Sequence, residues 1–372
     1  MKRTGIIDLP LHYGKAPYWL FSRMVKLAKP IVTIIIDEYG TEEFLSRISD
    51  TYWFQSLGCV LGFDWHSSGV TTVVTGALKE AIDPSLHGIT VCGGKGSASR
   101  RTPDEIAESC EVLGLSSQDV EKLTYVSRIT SKIDNTAIQS GHPLYHHAIF
   151  VSEKGEWAVV QQGMNTTDRT ARRYHWFSRE CESFVVEPHK GIVGDKVRDK
   201  VLNLTSRDSE GCRKVIVDLA KEEPRRIYRA LKSIRPKYQS TLEEWLSSKR
   251  GAYGDIEYLR LPSRVNWNAL RKAYETQVRS FEELIQIQGL GPATVRGLAL
   301  ISELIYGEKP SWRDPVKYSF AFGGKDGVPF PVDKRAMDEA IGFLREVVRN
   351  AKLGDKDKVR ILMKLNRMAS RL

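Results

Sequence analysis

The residues best suited to chemistry lie between Lys132 and Trp176. Three short runs there, LYHHAIFV, WAVVQQGMN and TARRYHW, gather His146, His147, Gln161, Gln162, Asn165, Arg172, Arg173, Tyr174 and His175. Glutamine and asparagine present paired donors and acceptors to a base edge. Arginine beside aromatic rings suits phosphate contacts and base stacking. A metal centre is not expected, because carboxylates are sparse beside the block. The expectation is a polar surface that recognises a base or a strand, with no metal and no cofactor. A second candidate is the loop Cys92–Arg101, CGGKGSASRR, where small residues and the cations Lys95 and Arg100 suit a phosphate held by backbone N–H groups. Its spacing is not that of a P-loop, and it reads equally well as a surface loop.

Those residues need elements to hold them. His146–Val151 and Glu156–Gln161 alternate as two strands of a hairpin turned at Lys154-Gly155. His146 and His147 then face opposite sides, so one of them enters the core. Upstream, Pro17–Leu27 reads as a helix, Ile31–Ile36 as a buried strand, and Thr41–Leu57 as a helix with Glu42 and Glu43 in its first turn. Gly69–Thr75 is β-branched and reads as a strand, followed by a helix that stops before Asp83-Pro84. Ile89–Val91 is a further strand. Helices are expected from Thr102, with Pro103 in the first turn, and from Ser117 to about Lys132. After Glu187-Pro188 the chain becomes helical and rich in Lys and Arg. The expected class is α+β: a mixed α/β domain over 1–190 with a β-hairpin, then a mostly helical domain over 191–372.

The whole chain has 372 residues and a formal charge of +10, with a pI near 9.2. That balance fits a polyanionic partner, with nucleic acid ahead of an anionic membrane. Five dispersed cysteines without a CxxC pair support neither a zinc knuckle nor a disulfide framework. MKRTGIIDLP lacks the apolar run of a signal peptide, and no stretch is long enough to span a bilayer, so a cytoplasmic location is expected. Within Lys221–Lys237, the residues Arg225, Arg226, Arg229, Lys232 and Arg235 form a cationic stripe opposite Ile227, Leu231 and Ile234.

Phe281–Gly307, FEELIQIQGLGPATVRGLALISELIYG, reads as two helices joined by a Gly-Leu-Gly turn. Gly289 and Gly291 permit backbone angles and close approach that side chains block. Pro292 fits a first helical turn, and the N–H groups behind it, with Thr294 and Arg296, suit a phosphate. The stretch resembles the helix-hairpin-helix of DNA-binding proteins, which implies a grip on double-stranded DNA that does not read sequence. GGKGSASRRTPDEI, LYHHAIFV, WAVVQQGMN and TARRYHW together resemble the signature of a prokaryotic family catalogued as a domain of unknown function. Downstream, VPFPVDKRAMDEAIGFL carries a Pro-Val-Asp segment (331–333) that resembles helix-hairpin-helix DNA glycosylases.

That second resemblance implies a catalytic aspartate, Asp333, at a helix start beside a flipped nucleotide. A carboxylate there would stabilise an oxocarbenium-like state or orient water while the C1′–N bond breaks. Family members with lyase activity carry a lysine near the position of Ala293. Its absence here points to hydrolysis, although Lys317, Lys325 and Lys334 lie nearby. The spacing from Gly291 to Asp333 is also longer than the resemblance implies. The expected function is a DNA glycosylase that removes a deaminated or oxidised base, a pyrimidine by preference, from lesion-containing duplex. Two alternatives stay open at this point: a non-catalytic DNA structure-binding protein, and a nuclease centred on the histidine-rich block.

Overall fold

The computed structural model describes residues 16–63, 67–194, 197–238, 262, 264–316, 318–319 and a few positions between 342 and 350. The chain opens on α1 (Tyr18–Ser49), broken at Gly40, where φ is 84°. Ile31–Ile36, expected as a strand, lies inside this helix. A short apolar run does not distinguish strand from helix, and here Met24, Ala28, Ile31, Val32 and Ile35 recur at helical spacing and are all buried. The helix expected to begin at Thr41 is the second limb of α1. It stops at Asp50, whose carboxylate accepts from Trp53 N at 2.7 Å and caps α2 (Thr51–Val60).

Gly69–Thr75 is likewise helical, as the start of α3 (Gly69–Ala81). Val70, Thr71, Val74, Thr75, Ala77, Leu78 and Ala81 are its buried positions, a helical repeat that outweighs β propensity. A short α4 (Pro84–His87) leads into β1 (Ile89–Lys95). Next come α5 (Ser97–Arg100), α6 (Thr102–Val112) and α7 (Ser117–Lys132), the last opened by a reciprocal capping box between Ser116 and Asp119. A π-helical turn, Ile133–Ala137, runs from α7 into the short strand β2 (Ile138–Gln139).

The expected hairpin is present as β3 (Leu144–Ser152) and β4 (Trp157–Asn165), and β5 (Thr170–Phe177) continues it. With β6 (Gly191–Gly194) and β8 (Tyr318–Ser319) they form one sheet in the order β1-β3-β4-β5-β6-β8, antiparallel except for β6 with β8. A separate ladder pairs β2 with β7 (Leu202–Asn203). Antiparallel sheets often leave one face to solvent. This one is covered on both. Ala148, Phe150, Ala158, Val160 and Phe177 share a core with α1, α2 and α3.

On the opposite face Ile149, Val151, Trp157, Val159 and Trp176 share a core with α7. The same core continues into α8 (Glu210–Ala220), α9 (Pro224–Tyr238), α10 (Trp267–Thr276), α11 (Phe281–Gln286) and α12 (Pro292–Tyr306). Sheet and core therefore run across position 190. The Arg172 guanidinium joins Asp314 in two parallel bonds of 2.9 and 2.7 Å, both side chains fully buried, which ties β5 to the segment after α12. Among the described residues, no helix is long and apolar enough to cross a membrane.

Candidate nucleic-acid interface and a buried polar network

Because both faces of the sheet are covered, the polar strand residues expected at a surface are interior. His146, His147, Gln161, Gln162, Arg172, Arg173, Tyr174 and His175 are all buried. Strand alternation sorts them into two sets. Towards α3, His146 Nε2 meets the Thr75 hydroxyl at 3.0 Å, and Gln162 accepts from Thr71 while donating to Ser68 O at 2.9 Å. Arg173 donates to Gln55 Oε1 at 3.1 Å, with its guanidinium 4.6 Å from the centre of the Phe54 ring. His175 Nδ1–H donates to the Ile48 carbonyl at 3.2 Å. Neither Arg172 nor Arg173 can reach a phosphate outside the protein. This corrects the expectation of an exposed recognition surface.

Towards α7 the network centres on Asp134, in the π-turn, a residue the sequence reading passed over. Its carboxylate accepts from Gln161 Nε2 at 2.7 Å, from Trp176 Nε1 at 2.9 Å and from His189 Nε2–H. Burial raises its pKa, against the opposing pull of His189 and Trp176. Gln161 Oε1 in turn accepts from His147 Nδ1–H at 3.0 Å and from Ser131 Oγ at 3.0 Å, and the Ser127 hydroxyl donates to His147 Nε2 at 2.9 Å. That pattern needs neutral imidazole, in agreement with burial pushing His147 down to about 4. His146 is held down to about 3, chiefly by burial, with His147 and Lys95 adding to it. SKIDNTA gives no periodic or compositional signal for Asp134, because its three donors come from distant segments.

Asn165 is half-buried and caps its own turn, accepting from Thr167 N at 3.0 Å and Asp168 N at 3.1 Å. In the CGGKGSASRR loop, Gly93 N–H donates to Glu105 at 2.7 Å and Gly96 N–H to Tyr145 O at 2.9 Å. Those two donors are thus taken. Gly93 sits at φ 97°, and a Cβ there would lie 2.3 Å from His147 O, so the close approach of β1 to β3 requires glycine. Lys95 and Arg100 are exposed.

The hairpin is where the surface stays open. α11 and α12 are joined through Ile287–Gly291; Gly289 is exposed at φ 86°, and no side chain caps α12 at Gly291. Asn266, which the sequence expectations did not single out, holds the turn by donating to Gly289 O at 3.1 Å while its Oδ1 accepts from Ala269 N at 3.1 Å and caps α10. Lys132 Nζ donates to Leu290 O at 2.8 Å, and Gln139 Nε2 to Pro292 O at 2.9 Å. Both flank the π-turn that carries Asp134, so the hairpin rests directly on the buried network. Thr294 is buried and accepts from Asn266 N at 2.9 Å, and Arg296 lies over the Trp312 ring, 5.4 Å from its centre. Neither is an open phosphate ligand. Replacing Asn266 with Ala removes the α10 cap and a tie to the turn; we expect a loss of about 1–2 kcal/mol in a denaturant titration.

The cationic stripe of α9 has the expected orientation: Arg225, Arg226, Arg229 and Lys232 are exposed, and Ile227, Leu231 and Ile234 are buried. α9 packs against α10 and α12, which places the stripe beside the hairpin layer. Two hollows, of about 380 and 430 Å³, lie elsewhere, one between α1 and α4 and one beside α8, and neither is lined by a predicted site residue. Among the described residues, no group of three or more His, Cys, Asp or Glu side chains is placed to hold a metal ion. Asp333 lies outside the described residues. Over residues 5–332 the sequence matches the family described as "Protein of unknown function (DUF763)", and the chain belongs to that family. No curated protein and no solved structure matches it.

Proposed function

We propose that this member of the DUF763 family binds double-stranded DNA by its backbone through Ile287–Gly291 and the start of α12, in the manner of a helix-hairpin-helix. The observation that carries the reading is the exposed, uncapped hairpin held rigidly from below by Lys132, Gln139 and Asn266. A helix start with unused N–H groups favours phosphate, and the exposed cations of α9 add a non-specific attraction. With about five phosphates neutralised, affinity for a plain duplex is expected to fall on the order of hundredfold or more between 50 and 200 mM salt. A binding isotherm insensitive to salt would sink the reading.

The reaction proposed for this grip is hydrolytic base excision by Asp333. Burial of Gln161, Gln162 and the ARRYHW residues leaves that aspartate as the main support for a glycosylase, and Ala293 in place of a lysine favours water over a Schiff base. Duplexes bearing single deaminated or oxidised pyrimidines, followed by alkali cleavage, are the test: wild type is expected to cut and Asp333→Asn to lose most of that activity. Binding without cleavage across the lesion panel would instead support the non-catalytic reading, which the interior position of the strand block favours. The same burial removes the basis for a nuclease centred on His146 and His147.

A further inference from the structure

One exposed and one half-buried aromatic lie next to the hairpin. Tyr228, on α9, is 54 % exposed. Its ring meets the half-buried Trp267 of α10 at a centroid distance of 5.7 Å and an interplanar angle of 69°. Trp267 directly follows Asn266, whose side chain holds Gly289, so the pair stands immediately beside the turn. Helical spacing sets Tyr228 between Arg225 and Lys232 on α9, and aligns Trp267 with Arg271 and the exposed Tyr274 on α10. Arg225 is 3.9 Å from Glu223, but among the described residues no carboxylate lies within ion-pair distance of Lys232 or Arg271.

Rings interleaved with free cations on two neighbouring helices are what an unpaired strand needs: a face for each base and a charge for each phosphate. A duplex buries its base faces in its own stack and has no use for the rings. We infer that Tyr228 and Trp267 form a stacking platform for unpaired bases, and that the DNA bound here is a junction, with duplex on the hairpin and a single strand crossing α9 and α10. The inference rests on the DNA-binding reading of the hairpin and narrows it to a substrate class. Contact with Trp267 fixes the orientation of Tyr228 in advance, which lowers the ordering cost of stacking a base on it. Lys232 and Arg271 hold the backbone without reading sequence, so a preference for tail over sequence is the expected pattern.

The experiment measures binding of the full chain to a blunt duplex and to the same duplex with a single-stranded tail carrying 2-aminopurine near the junction. Wild type is expected to bind the tailed duplex about tenfold more tightly and to quench the probe on binding, since one stacked base contributes about that much. Tyr228→Ala, a substitution at an exposed site, should lose the tail preference and the quenching but keep its blunt-duplex affinity, and Tyr228→Trp should restore both. Lys232→Ala should weaken tailed binding and flatten its salt dependence without abolishing the quenching. Equal affinity for tailed and blunt duplex in wild type, or unchanged quenching in Tyr228→Ala, would overturn the platform and leave the hairpin reading intact. Absence of binding to either DNA would overturn both.

Discussion

Below about pH 6 the protein is expected to lose stability steeply and to unfold with a midpoint between about pH 4 and 5.5, starting before ordinary carboxylates are protonated. The cause is the set of histidines buried as neutral rings. Burial drives His142 and His146 down to about 3 and His147 to about 4, and it takes His175 well below its usual value with help from Arg173. In the unfolded chain each ring takes up a proton near pH 6.5, whereas the native rings do not, so the unfolded state binds more protons throughout that window. Stability therefore rises with pH up to about 6.5 and falls as acid is added below it, by about 1.4 kcal/mol per unit for each ring.

The three rings held near 3 to 4 amount to roughly 6 kcal/mol by pH 5, and His175 adds in the same direction, comparable with the whole stability of a typical domain, about 5–15 kcal/mol. Asp134 opposes them. Its raised pKa means the native state binds a proton more readily than the unfolded one, so its own contribution grows as pH falls. One group against four does not change the sign. Circular dichroism against pH is the measurement, with proton uptake read from the slope. His147→Gln should reduce that uptake by about one proton. A transition confined to pH 3 or below would refute the buried neutral set.

Asp134→Ala is expected to be the most damaging single change in the interior, at about 3–5 kcal/mol. The substitution strands three donors at once: Gln161 Nε2, Trp176 Nε1 and His189 Nε2–H. All three donors are buried, and each unmet buried donor costs about 1–3 kcal/mol. The damage should also travel, because Lys132 and Gln139, on either side of the π-turn, hold the hairpin carbonyls. Asp134→Asn, which keeps the volume and one acceptor oxygen, should cost less than Ala. Urea unfolding gives the stability, and hydrogen exchange at Leu290–Val295 reports on the hairpin. A loss below about 1 kcal/mol for the alanine variant would show that the network is not a single unit.

Local signals in the sequence determined much of this protein. Lys154-Gly155 between alternating runs specified the β3–β4 hairpin. The Ser116–Asp119 box fixed the start of α7, and the spacing of Ile227, Leu231 and Ile234 fixed which side of α9 faces solvent. The same kind of signal failed for VTIII and GVTTVVT, because a short β-branched run fits a buried helix as well as a buried strand. It also failed for the polar strands. His146, Gln162 and Arg173 look like a binding surface in one dimension, since polarity is read from the side chain and burial from what packs on it. Only the tertiary structure decided that α1–α3 cover one face of the sheet and α7 the other, turning those residues inward. Asp134 and the hold of Asn266 on Gly289 entered for the same reason: those partners lie far away in sequence, and a contact between distant segments leaves no local pattern to read.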